Sequence, residues 1–153
     1  MSKLILLRHG QSQWNRDNLF TGWVDVPLTM QGIDEALQAG EKFATAKIDC
    51  IFTSTLLRAQ QTALLAMSQN NSPKVPIRSN DNAWHKIYSD SAEANSIPII
   101  AHSDLNERYY GELQGMNKDT AREKFGAEQV HIWRRSYNTP PPGGESLQDT
   151  VKR

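Results

Sequence analysis

The chain has 153 residues, enough for one domain with a buried core, and it carries 17 Lys plus Arg against 17 Asp plus Glu. That zero net charge excludes a general pull toward nucleic acid or an anionic membrane, so anion binding must come from local clusters of cations. Cys50 is the only cysteine, which excludes a disulfide framework and a thiolate zinc site and fits a reducing compartment.

The N-terminus has one lysine and a four-residue apolar run before Arg8, too short for a signal peptide or a membrane span. A soluble, cytoplasmic protein is the expectation. Leu4 to Leu7 reads as a buried strand whose C-terminal end delivers Arg8, His9 and Gly10 to a loop, where open α/β sheets place their ligands.

Thr29 is a candidate N-cap, and Ile33, Ala36, Leu37, Gly40 and Phe43 recur at helical spacing, predicting an amphipathic helix over residues 30 to 46. Asp49 to Thr53 reads as a second short buried strand. Leu56, Ala59, Ala63 and Met67 then mark the face of a second helix, capped near Ser54 or Thr55. This alternation predicts an α/β fold with parallel strands.

Residues 69 to 96 are dominated by Asn, Ser, Asp and Pro, with scattered Trp84, Ile87 and Tyr88, and read as a long surface excursion. Ile97 to Ala101 resumes a strand-like run. From Asn117 a polar helical region carries Val130, Trp133 and Tyr137 at i, i+3 and i+7, until Pro140, Pro141 and Pro142 stop it. Ser146 and Asp149 resemble a capping box opening one more helix. His85 and His131 have no carboxylate or thiol partners at ligand spacing, so no metal site is expected.

Arg8-His9-Gly10 at a strand end offers a cation, an imidazole and close backbone approach, a set able to receive a phosphoryl group on the ring nitrogen. An isolated histidine there would ordinarily satisfy only a hydrogen bond. Ser12 and Asn15 follow directly and supply neutral donors of the kind that cradle phosphate oxygens.

Leu7-Arg8-His9-Gly10-Gln11-Ser12-Gln13-Trp14-Asn15, Phe20-Thr21-Gly22-Trp23 and Asp25-Val26-Pro27-Leu28-Thr29 together resemble the opening of the cofactor-dependent phosphoglycerate mutases of the histidine phosphatase superfamily. The resemblance continues through Phe52-Thr53-Ser54 with Arg58-Ala59, and through Leu105-Asn106-Glu107-Arg108-Tyr109-Tyr110-Gly111. Asn117-Lys118, Trp133-Arg134-Arg135-Ser136-Tyr137 and Gly144-Glu145-Ser146-Leu147 extend it toward residue 153.

The resemblance implies a three-layer α/β/α catalytic domain, with helices on both faces of the sheet, that interconverts 3-phosphoglycerate and 2-phosphoglycerate. It implies His9 as the phosphoryl carrier, primed by 2,3-bisphosphoglycerate, with no metal. Neighbouring Arg8 and Arg58 would keep the ring neutral and spread the charge of the transferring group.

Glu107 is implied as the proton donor and acceptor. Lys118, Arg134 and Arg135 are implied to hold the doubly anionic substrate, together with Arg8, Ser12, Asn15, Thr21, Gly22, Arg58, Glu107, Arg108 and Tyr110. Trp133 is expected in the core and His102 in a structural role.

The family also uses a second histidine in a His-Gly-Asn-Ser-like segment after a late strand. Nothing through Arg153 supplies it, so the chain is expected to be the N-terminal portion of a longer domain. Small phosphoglycerates are the expected partners, and homo-oligomerisation is left open. A phosphatase of the same superfamily and a non-catalytic anion-binding remnant are the competing readings.

Overall fold

The structure is a computed structural model that describes residues 3–78, 91 and 94–153. Helix α1, Gln13–Arg16, is one turn long and survives through its cap. Ser12 Oγ accepts from the Asn15 N–H at 3.2 Å, while Asn15 Oδ1 accepts from the Ser12 N–H at 3.3 Å. Helix α2, Met30–Glu41, begins where Thr29 Oγ1 accepts from the Gly32 N–H at 3.1 Å. It buries Gly32, Ala36 and Gly40, and ends five residues before the expected boundary. The Lys42 and Phe43 N–H groups there turn back to the Ala39 and Gly40 carbonyls, three residues behind, tightening the last turn.

Among the described residues the sheet has three parallel strands in the order β1-β3-β2: β1 is Ile51–Thr53, β2 is Val75–Arg78 and β3 is Ser96–Ala101. The register sets Ile51 beside Ile99 and Ile77 beside Pro98. Strand β2 lies inside the stretch read as a surface excursion. Its Pro76 and short length conceal it in the sequence, and it takes the edge position where a missing N–H is tolerated. Trp84, His85, Ile87 and Tyr88 lie outside the described residues.

The expected first strand is corrected. Residues 3–11 have no ladder partner among the described residues, and Leu4 and Leu6 are 82% and 86% exposed. An apolar run signals a preference for burial, but a strand also needs a neighbour to take its N–H and C=O groups.

Helix α3, Leu57–Met67, packs against α2; Leu56 and Met67 are buried as expected, while between them the buried face is displaced by one position. Arg58, Thr62 and Ala66 point inward at i, i+4 and i+8, while Ala59 and Ala63 are only half-buried. Hydrophobic periodicity missed this because the inward stripe is led by a cation. The cap is also distributed: Asp25 Oδ1 accepts from the Leu57 N–H at 2.6 Å and Ser54 Oγ from the Leu56 N–H at 3.2 Å.

After β3 come two 3₁₀ turns, Ser103–Leu105 and Gly111–Leu113, and then helices α4, Lys118–Phe125, and α5, Ala127–Arg135. Gly126, at φ 85°, divides the single helical region expected from the sequence into two, since a left-handed residue closes one helix and opens the next. Tyr137 falls beyond α5 and is half exposed, so it is not on the expected stripe. Phe20, Leu113, Ala121 and Val130 form a core, with Trp133 packed against it and edge-on to Phe125 at 5.3 Å. Helix α6, Leu147–Lys152, starts at the Ser146–Asp149 capping box. No helix among the described residues is long and apolar enough to cross a membrane.

Candidate active site

His9 is half-buried, and its Nδ1 lies 2.7 Å from the Gly10 carbonyl oxygen. A carbonyl can only accept, so Nδ1 carries the proton and Nε2 presents its lone pair. Burial pushes the His9 pKa down from 6.5, and the charges of Arg58 and Arg8 add to that. The Gly10 bond and the Glu107 charge oppose them without prevailing. The expected role of the two arginines holds in direction, although burial is the larger cause.

The loop is fixed from two helices. The Gly10 N–H donates to Thr62 Oγ1 at 3.1 Å, and the Thr62 hydroxyl donates to the Arg58 carbonyl at 2.7 Å. On the α2 side, a Cβ at Gly10 would stand 2.2 Å from the Gly32 carbonyl oxygen, and one at Gly32 would stand 2.1 Å from that of Gln11. Only glycines permit this approach.

Arg58 is 1% exposed and bonded through both terminal nitrogens. Its Nη2 donates to the Gly22 carbonyl at 2.7 Å and to Glu107 Oε2 at 2.9 Å, and its Nη1 donates to the Val24 carbonyl at 3.0 Å. The guanidinium therefore joins three segments of the site. Glu107 stays partly exposed and keeps an accessible carboxylate beside His9.

Two clefts sharing Arg8 and Asn15 flank this centre. One, about 410 Å³, is lined by Arg8, His9, Gly10, Gln11, Asn15 and Glu35. The other, about 310 Å³, gathers Arg8, Lys118, Arg134 and Arg135 with Glu107, Asn15, Thr21 and Tyr110. Burial lowers the Lys118 pKa, and the charges of Arg134 and Arg122 add to it against the pull of Glu107 and Asp119. Beside this cleft Arg108 is buried, with Nη2 donating to the Arg134 carbonyl at 3.1 Å and its guanidinium 4.8 Å from the Tyr110 ring centre. Arg108 Nη1 and Thr21 Oγ1 are buried with no hydrogen-bond partner among the described residues. Of the two, Thr21 lines this cleft, where a polar ligand would satisfy its hydroxyl.

The predicted site residues thus fall into two groups. Arg8, His9, Asn15, Thr21, Glu107, Tyr110, Lys118, Arg134 and Arg135 line the clefts. Ser12, Gly22, Arg58 and Arg108 do not: Ser12 caps α1, Gly22 supplies a carbonyl to Arg58, and the two arginines stand behind the lining. His102 caps a 3₁₀ turn, its Nδ1 accepting from the Asp104 N–H at 3.3 Å. Among the described residues no group of three His, Cys, Asp or Glu side chains is arranged to hold a metal.

Sequence reasoning missed Thr62, whose signal was its i+4 spacing from Arg58. It also missed Trp23, Glu145 and Arg153, which gave no local signal because their contacts are made across the fold.

Residues 4–82 and 86–153 match the family described as histidine phosphatase superfamily (branch 1). The 2,3-bisphosphoglycerate-dependent phosphoglycerate mutase of Protochlamydia amoebophila (strain UWE25) is 57% identical over the whole of this chain, which spans 70% of that protein. Mutase 1 of Arabidopsis thaliana is 54% identical over 98% of this chain and 46% of its own length. Among solved structures, Bacillus stearothermophilus YhfR superposes with a TM-score of 0.70 at 26% identity, over 95% of this chain and 59% of that one. The alpha-ribazole phosphatase from Shigella flexneri gives 0.67 at 26% identity, over 95% and 60%. This chain spans about 60% of the length of those two solved chains. With its histidine loop, buried arginine and cationic cleft, the chain belongs to the histidine phosphatase superfamily and, within it, to the 2,3-bisphosphoglycerate-dependent phosphoglycerate mutases.

Proposed function

We propose that the protein interconverts 3-phosphoglycerate and 2-phosphoglycerate through a phosphohistidine at His9. The observation that carries this reading is the meeting of a histidine biased to its neutral form, a buried Arg58 and the Glu107 carboxylate beside a cleft lined by four cations. 2,3-Bisphosphoglycerate supplies the priming phosphoryl group. Lys118, Arg134 and Arg135, with the Thr21 hydroxyl that lines the same cleft, suit its phosphate and carboxylate oxygens.

His9 Nε2 attacks phosphorus, and the departing hydroxyl oxygen takes its proton from Glu107. In return, the Glu107 carboxylate withdraws a proton from the neighbouring hydroxyl as that oxygen attacks the phosphorus held on Nε2, and the nitrogen recovers its lone pair. Arg58 and Arg8 offset the charge on the equatorial oxygens throughout. A cytoplasmic place in glycolysis and gluconeogenesis, with small phosphoglycerates as partners, goes with this reading and is supported by the names of the mutase relatives.

The test is to incubate the full-length protein with 3-phosphoglycerate and a trace of 2,3-bisphosphoglycerate and follow the mixture by phosphorus NMR. 2-Phosphoglycerate should appear, and an acid-labile, base-stable phosphoryl group should be found on the protein and lost in His9→Ala. Absence of isomerisation sinks the reading, and free phosphate outpacing 2-phosphoglycerate gives the phosphatase instead.

A further inference from the structure

The segment carrying Glu107 is not held by secondary structure. From Asn106 to Tyr110 the chain is neither helix nor strand, yet it must keep a carboxylate within bonding distance of Arg58 and beside His9. Its backbone groups must find partners elsewhere.

One side chain holds two of its carbonyls and two more just before it. Arg153 Nη2 donates to the Asn106 carbonyl at 3.0 Å and to the Glu107 carbonyl at 3.2 Å. Nη1 donates to the Ser103 and Asp104 carbonyls at 3.2 and 2.7 Å. The guanidinium is fixed in turn by a two-point pair with Glu145, Nε to Oε1 at 2.9 Å and Nη2 to Oε2 at 3.0 Å. Glu145 Oε2 also accepts from the Tyr109 N–H at 2.9 Å, so both members of the pair grip the same segment.

Trp23 closes the arrangement. Its indole N–H donates to the Glu107 carbonyl at 2.6 Å, and the Arg153 guanidinium lies 5.7 Å from its ring centre. A planar fork with five N–H groups reaches a carboxylate and four carbonyls at once, the two Nη2 hydrogens being shared among three acceptors, whereas an ammonium has only three N–H groups. Arg153 lines neither cleft, so its influence on the reaction must pass through Glu107.

We propose that Arg153, locked by Glu145, is a positioning residue that sets the Glu107 carboxylate for proton transfer. The proposal rests on the mutase reading above.

The test uses Arg153→Met and Arg153→Lys in the full-length protein, each also combined with Glu107→Gln. With Glu107 intact, Arg153→Met lowers kcat roughly 10- to 100-fold, the range a small misplacement of a reacting group produces, and leaves the KM for 3-phosphoglycerate within about twofold. Arg153→Lys, which keeps the charge beside Glu145, recovers part of the loss. In the Glu107→Gln background the same substitution costs less than about twofold, because the group it positions is already gone. Without substrate, the side-chain carboxyl carbon resonance of Glu107, assigned through Glu107→Gln, moves in Arg153→Met.

An unmoved resonance, or equal losses in both backgrounds, overturns the proposal. If the Met variant does not fold, the same readings on the Lys variant decide. A wild-type protein that fails to isomerise 3-phosphoglycerate overturns the function on which the proposal rests, whereas the substrate-free resonance still judges the positioning.

Discussion

Arg58 and Glu107 are joined at 2.9 Å, with the arginine buried to 1% exposure and the carboxylate partly open to solvent. The pair is asymmetric. Arg58 also holds the Gly22 and Val24 carbonyls and so cannot follow the carboxylate, while Glu107 lines the cleft.

Arg58→Met removes a buried charge that acts on His9 and pairs with Glu107, and strips two backbone carbonyls of their donor. The expected loss in kcat is about 10²–10³, the usual effect of deleting an electrostatic stabiliser. Stability should fall by about 1–3 kcal/mol for each carbonyl left buried and unpaired. Steady-state kinetics and urea unfolding read the two effects separately.

The His9 ring has its pKa pushed below 6.5 in the folded protein, so the neutral nucleophile persists to lower pH than in an ordinary histidine. The acidic limb of kcat/KM should therefore lie below pH 6.5, and Arg58→Met should move it upward by removing one lowering influence. The sign for stability is set by the unfolded chain, which binds this proton more tightly. The His9 contribution is complete above its unfolded value and is lost as pH falls through the folded one. A pH–rate profile whose acidic limb is unmoved in the variant would contradict the electrostatic coupling.

Thr62→Val preserves shape and deletes a hydroxyl that accepts from Gly10 and donates to the Arg58 carbonyl. About 1–3 kcal/mol of stability should go with it, because the Gly10 N–H is buried and has no water to turn to. Thermal unfolding measures the stability loss, and a fall in kcat in the still-folded variant shows that the loop has shifted.

Burial alone would raise the Glu145 pKa, but its bonds to Arg153 and the Tyr109 N–H hold it below 4.5. A depressed carboxylate contributes stability that is present above the unfolded value and disappears as pH falls through the folded one. Glu145→Gln should therefore unfold more easily than wild type at pH 7, and the difference should shrink with acidification below about pH 4.5. Urea midpoints at a series of pH values give the comparison.

The strongest local signals in the sequence translated directly into structure. Thr29 and Ser146 cap their helices through their own hydroxyls, as their spacing to Gly32 and Asp149 implies. The ordered motifs around His9, Glu107 and Lys118 located the cleft. What stayed hidden has two causes. Strand β2 is short, contains a proline and lies in a polar stretch, so alternation is not readable there. Between the buried Leu56 and Met67 the inward stripe of α3 is led by Arg58, and patterns scored on apolar residues place that stretch one residue away. Leu4 to Leu7 shows the reverse failure, because an apolar run is necessary for a buried strand but cannot specify its neighbour.

The clasp of Gly10 and Gln11 against Gly32 on α2 and Thr62 on α3 makes the position of His9 a gauge of the gap between two helices. Ala36, Gly40 and Ala66 are buried in those helices, which pack directly on each other. Enlarging any of them would wedge the helices apart, and the displacement would reach His9 through bonds that have no slack. Sites with no view of the substrate would then score as catalytic in a mutational scan, and the enzyme's tolerance for change along that seam is set by the accuracy its chemistry demands.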